Sequence, residues 1–207
     1  MKIDKLSIDG KKQSIEVLDK IFSAKVNNQL VSCVIYKLNA NFKGRKAKTK
    51  QRNEITGSTS KIYSQKGTGN ARHSSKKAPI FVGGGIAHGP KGQDNYKIRK
   101  LNKSEKKQSI ASLISEKTKN KNILIFTDFA SEIKKTKEMS IILKKFEISN
   151  SLIILDKNSK NKIEKSIRNI PHLKVTDVNH FSAYDLVKFE KVVFTESSIK
   201  ELEKRYV

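Results

Sequence analysis

The sequence predicts an α/β fold with a mostly parallel sheet flanked by helices and a long extended basic loop inserted after the first long helix. Three observations carry that expectation: short apolar runs in the second half, helical stretches that alternate with them, and a central segment that shows neither pattern. The runs are "NILIF" (122–126), "SLIIL" (151–155), "LKVTDV" (173–178) and "VVF" (192–194). Three of them, all but "LKVTDV", are near-continuous rather than alternating, as strands covered on both faces are, and such strands belong to parallel sheets.

Each element has its own local reason. At the N-terminus, "KLSIDG" and "SIEV" alternate apolar and polar residues around Asp9 and Gly10, which predicts a hairpin. From about Val26 to Phe42, Leu30, Cys33, Val34 and Leu38 recur at helical spacing and predict a stripe facing a core. Ile110, Leu113 and Ile114 mark a helix that starts near Ser104. Met139, Ile142, Leu143 and Phe146 mark the next, Ile163, Ile167 and Ile170 a third, and Ile199, Leu202 and Tyr206 the last. One α/β domain over 1–207 follows, with residues 43–100 inserted within it.

Composition narrows the partners. The chain has 44 Lys and Arg against 20 Asp and Glu, a formal charge of +24, which points to a polyanion, with nucleic acid ahead of an anionic membrane. No segment approaches a signal peptide or a membrane span, so a soluble cytoplasmic protein without a membrane partner is expected. The one cysteine, Cys33, sits in "QLVSCVIYKL" and is expected to be a buried thiol; no disulfide framework is possible within one chain. No Cys/His spacing suggests zinc, and neither metal nor cofactor is expected.

The charge is concentrated. Residues 43–100 hold 15 basic and two acidic residues (Glu54, Asp94), nine of the ten glycines, and Pro79 and Pro90. A structureless stretch of this length is either disordered or ordered by something outside the protein. Its glycines resemble a phosphate-binding loop but fail both nucleotide fingerprints. Gly67 and Gly69 are followed at the third-glycine position by Arg72, with no buried strand before them, and Gly89 is followed by Pro90 and Lys91 where a P-loop needs Lys and then Ser or Thr.

Glycine interleaved with cations over such a length suits an RNA backbone: cations neutralise phosphates, while glycine lets the chain turn and bring N–H groups close to them. Arg45, Arg52, Arg72 and Arg99 can fork onto phosphates or guanine edges. Lys46, Lys48, Lys50, Lys61, Lys66, Lys76, Lys77, Lys91, Lys97 and Lys100 supply point charge. Gly67, Gly69, Gly84 and Gly85 supply the close approach, His73 and His88 are candidate RNA contacts, and Tyr63, Phe81 and Tyr96 can stack on unpaired bases. Asp128, Asp156 and Glu196 fall just after apolar runs, where α/β enzymes place chemistry. The competing expectation is therefore an α/β enzyme acting on RNA, with the basic loop as a clamp and Asp128 or Asp156 in catalysis. The bland reading makes these acids caps favoured by helix dipoles.

The stretch "QKGTGNARHSSKKAPIFVGGGIAHGPK" is similar to the central signature of the large-subunit ribosomal protein four family, in its bacterial or organellar form, and the order of elements around it agrees over nearly the whole chain. The resemblance implies a structural, non-enzymatic protein that binds large-subunit ribosomal RNA, contributes to subunit assembly and touches neighbouring large-subunit ribosomal proteins. Its loop would run inward among RNA domains, and the tip, at Gln65, Lys66 and Gly67, would face the nascent polypeptide in the exit tunnel. Gln65, Lys66, Gly67, Gly69, Arg72, Gly84, Gly85, Gly89 and Pro90 match the family pattern. Tyr63 and Ser64 stand where a Trp-Arg pair is usual, Asn70 where Arg is usual and Ser74 where Gly is common, so two guanidinium contacts near the tip are not carried over.

Overall fold

The computed structural model describes residues 1–7, 12–129, 135–146 and 148–206. The chain divides into two compact units, one of Met1–Asn39 with Lys100–Val207 (the body) and one of Ala40–Arg99 (the arm).

The body is built on a six-stranded sheet of β1 (Lys2–Leu6), β2 (Lys12–Glu16), β3 (Ile123–Phe126), β4 (Ser151–Leu155), β5 (Leu173–Asp177) and β6 (Lys191–Thr195), in the order β2-β1-β3-β6-β4-β5. β1 and β2 pair antiparallel, and every other neighbouring pair is parallel. The four predicted runs are β3 to β6. The predicted hairpin is β1 and β2, with Ile3 opposite Ile15, while its turn at Asp9 and Gly10 lies outside the described residues.

Strand alternation sends successive side chains to opposite faces, and here both faces are covered. Ile123 and Ile125, Leu152 and Ile154, and Val192 and Phe194 enter one core with Ile114, Leu186 and Ile199. Phe126, Ile153, Leu155 and Val193 enter the other with Met139, Leu143, Ile163 and Ile167. That is why β3, β4 and β6 read as unbroken apolar runs. The helices supplying these partners are α1 (Asp19–Phe22), α2 (Asn28–Lys43), α3 (Lys103–Lys119), α4 (Thr136–Lys145), α5 (Lys157–Ile167), α6 (Ala183–Lys188) and α7 (Glu196–Tyr206).

Apolar periodicity is weak in α3, because serines take much of its inner face. Ser109, Ser112 and Ser115 are fully buried. Ser115 Oγ donates to Ile21 O at 2.8 Å and accepts from Ala24 N at 2.8 Å, so a small polar side chain ties α3 to α1 and to the segment after it. Cys33 corrects the expectation of a buried thiol: it is exposed, since α2 turns Val31 and Val34 inward and rotates the next positions toward solvent. None of the helices among the described residues is long and apolar enough to cross a membrane.

Candidate nucleic-acid interface

The arm keeps its shape without a hydrophobic core. No hydrophobic side chain between Ala40 and Arg99 is buried; Ser75, Gly85 and Gly92 are its buried residues. What holds it is a series of hydrogen bonds between residues far apart in sequence. Asn41 accepts from Arg99 N at 2.8 Å through Oδ1 and donates to Arg99 O at 2.9 Å through Nδ2. Tyr96 donates its hydroxyl to Ala40 O at 2.8 Å, and Gln93 Oε1 accepts from Arg45 N at 3.0 Å. Further along, Gly92 N donates to Ala47 O, Thr49 N to Pro90 O and Ile86 N to Lys50 O, an irregular antiparallel ladder with a bridge at Lys48 and Lys91.

Beyond this ladder the chain makes two excursions. Ile62 N donates to Ser74 O at 2.9 Å and closes an end loop, which a hydrogen bond from the Tyr63 hydroxyl to Ala71 O also pins. Gln65, Lys66 and Gly67 lie in that end loop, exposed, with Gly67 at φ +81 and open space where a Cβ would stand. The Lys61 ammonium donates to Gln65 Oε1, and Ser64 Oγ donates to Lys66 O at 3.1 Å. The Lys66 ammonium has no acceptor among the described residues. The second excursion, 75–85, is a chain of tight turns closed by Gly85 N to Lys77 O at 3.0 Å. A Cβ on Gly85 would collide with the backbone of Gln51 and Arg52, and one on Gly84 with Ala78 O, so two glycines of the signature are required by close backbone approach.

The aromatic candidates are brought together. His73 lies edge-to-face with Phe81, centroids 5.0 Å apart, and with Tyr63 at 6.4 Å. All three are half-buried, so they brace the two excursions against each other and leave part of each ring outward. Tyr96 is half-buried at the ladder.

The cations face outward. Arg45, Lys46, Lys48, Lys50, Arg52, Lys61, Lys66, Arg72, Lys76, Lys91, Lys97 and Arg99 are exposed and Lys77 is half-buried; Lys100, also exposed, is the first residue past the arm. The two acids are partly committed within the unit. Asp94 lies 3.6 Å from Lys48 Nζ, and Glu54 accepts from Gln51 N at 3.0 Å across a single helical turn. The result is a dense field of outward positive charge on a backbone-knit scaffold. His88 is exposed at φ +54, and Gly69 is exposed at φ +71 in the end loop.

The acids that would serve an enzyme are used as structure. Asp128 Oδ1 accepts from Ser197 N at 3.1 Å and Ser197 Oγ at 2.7 Å, at the start of α7. Asp156 caps α5 by accepting from Asn158 N at 3.3 Å. Glu196 meets Lys5 at 2.8 Å and Lys200 at 3.0 Å, and these two ammonium groups hold its carboxyl below the usual range. Among the described residues, no three His, Cys, Asp or Glu side chains converge as a metal site would require.

Sequence reasoning missed the bracing residues Asn41, Gln93, Thr49 and Ser75. Their partners lie as far as 58 positions away, and single polar residues at such separations leave no periodic signal.

Residues 15–205 match the model of the Ribosomal protein L4/L1 family. The chain is 78% identical over 206 residues to the large ribosomal subunit protein uL4 of Pelagibacter ubique (strain HTCC1062), covering 100% of both chains. It is 38% identical over 202 residues to the protein of the same name from Treponema denticola, covering 97% of this chain and 94% of that one, and 34% identical over 201 residues to that of Lachnospira eligens. A body with a doubly covered sheet, an arm of outward cations and a match across almost the full length together make this chain a member of the Ribosomal protein L4/L1 family.

Proposed function

We propose that the unit Ala40–Arg99 is the arm through which the chain grips RNA, chiefly by neutralising phosphates, with Gln65, Lys66 and Gly67 at the end that meets the nascent-chain path. The protein itself is a structural constituent of the large ribosomal subunit that binds its ribosomal RNA and neighbouring ribosomal proteins, and it is not an enzyme. The observation that supports the arm's role is its lack of any buried hydrophobic side chain together with its outward Lys and Arg. A surface like this is unfavourable in isolation, because like charges repel, and becomes favourable when phosphates replace the repulsion and counterions are released.

The test is the salt dependence of binding to transcribed large-subunit ribosomal RNA. If about eight cations engage phosphates, log K falls against log salt with a slope of roughly −6 to −7. An affinity that barely changes between low and moderate salt would defeat the proposal.

A further inference from the structure

Between residues 55–62 and 76–83, the arm contains a cavity of about 480 Å³ that the phosphate-gripping role does not require. Its walls include Ile55, Ile62 and Val82, and Lys61, Lys76 and Lys77 also line it. Ile55 and Ile62 are half-buried, whereas Val82 is completely exposed on its turn, and Ile80 two positions earlier is 66% exposed. Ser58 and Ser60 line the cavity too, their hydroxyls paired at 2.6 Å. Ser75 joins the two lining segments: its Oγ donates to Ser58 O at 3.2 Å and accepts from Lys77 N at 3.2 Å. The ammonium groups of Lys76 and Lys77 have no protein acceptor among the described residues.

A surface meant only for duplex phosphates needs cations and backbone N–H groups, and gains nothing from aliphatic walls. Aliphatic walls and free ammonium groups in one recess of this size suit a ligand that has both a flat apolar face and a phosphate. We infer that this recess holds one unstacked ribonucleotide of the RNA gripped by the arm, its base against Ile55, Ile62 and Val82 and its phosphate at Lys76 and Lys77. The inference rests on the arm being the RNA-binding unit. The serine hydroxyls, each donor and acceptor, offer hydrogen bonds to the base edge. A base already free of pairing in a bulge or loop enters with least unstacking cost, so the nucleotide belongs to a single-stranded element.

The experiment uses the full chain and transcribed large-subunit ribosomal RNA carrying thiouridine, irradiated and mapped to cross-linked peptides. A pocket variant, Lys76→Gln with Lys77→Gln and Val82→Asp, is compared with a charge-matched control, Lys97→Gln with Lys100→Gln and Arg45→Gln; thermal melting verifies that both bodies stay folded. The expected result is one RNA position cross-linked to residues 55–62 or 76–83, reduced about tenfold or more in the pocket variant, which lacks both phosphate partners and one apolar wall. The control loses overall affinity yet keeps that cross-link. RNA that binds the unsubstituted chain at full affinity without cross-linking to either segment overturns the pocket while leaving the arm's role intact. So does a cross-link that survives in the pocket variant. Cross-links spread over many RNA positions mean a non-selective cationic surface and also overturn it. Failure of the unsubstituted chain to bind this RNA overturns the arm's role and the pocket with it.

Discussion

The body and the arm solve the folding problem by different means. Every buried hydrophobic side chain among the described residues lies in the body, where both faces of the sheet are covered. The arm has none; its shape depends on hydrogen bonds such as Asn41 to Arg99 and Ile62 to Ser74, on edge-to-face rings at His73, and on glycines that admit backbone against backbone. Hydrogen bonds exchanged with water contribute about 1 kcal/mol each, whereas ordering a residue costs about as much or more, so a unit without apolar burial is marginal by itself. The body's fold is therefore set by its own sequence, and we propose that the arm's fold is completed by a charge partner.

Core truncation gives the largest expected contrast. Phe194 is fully buried in β6, and Phe194→Ala is expected to cost about 3–5 kcal/mol, with a large drop in the melting temperature of the body. Val82→Ala, at a fully exposed position in the arm, is expected to change stability by no more than ~0.5 kcal/mol. Equal effects would erase the distinction between the units.

Next comes the arm's backbone geometry. Gly85→Ala places a methyl group into the backbone of Gln51 and Arg52, so the turn must move away from the ladder. Melting of the body is expected to stay unchanged while RNA affinity falls roughly tenfold, about 1.4 kcal/mol. An affinity equal to that of the unsubstituted chain would show that the close approach does not shape the RNA-facing surface. Lys66→Glu is a subtler probe. It reverses one charge at the end loop, so subunit assembly should persist, with the remaining cations in place, while nascent-chain passage changes; unchanged pausing at normal occupancy counts against the tip's position.

The smallest effect separates the units by pH. Burial raises the Tyr206 hydroxyl from 10.0 to about 12, so the neutral phenol is favoured in the folded body. The stabilisation is complete below the unfolded value and is lost as pH rises from about 10 toward 12. Tyr206→Phe is expected to flatten this part of the alkaline limb of body stability without altering RNA binding, checked by melting across that range. At the acid end, Glu196 is held low by Lys5 and Lys200, so its contribution is present above the ordinary carboxylate range and fades as pH falls through its lowered value. Glu196→Gln should shrink that acid limb by about 1 kcal/mol or less.

β3, β4 and β6 were legible because burial on both faces writes itself as unbroken apolar runs, whereas the edge strand β5 carries the mixed pattern "LKVTD". The long helices were legible from their 3.6 period. The six-residue α6 was not, although "SAYD" at 182–185 carries the reciprocal Ser182 and Asp185 cap seen in the structure. Cys33 was misplaced because its neighbour Val34 carries the inward phase, and an apolar residue one step round the helix is not necessarily inside. In the arm the sequence showed charge and glycine but not the ladder, because pairs such as Arg45 with Gln93 are joined by single hydrogen bonds that follow no period.

Amide hydrogen exchange on the full chain, free and bound to large-subunit ribosomal RNA, tests the contrast most directly. In the free protein the amides of Ile62, Gly85, Ile86 and Gly92, all hydrogen-bonded within the arm, are expected to exchange almost unprotected, while those of β3, β4 and β6 exchange slowly. Binding of RNA should then slow the four arm amides by orders of magnitude and leave the sheet nearly unchanged. Arm amides as protected as the sheet in the free protein would contradict the claim that the arm's order is completed by its partner.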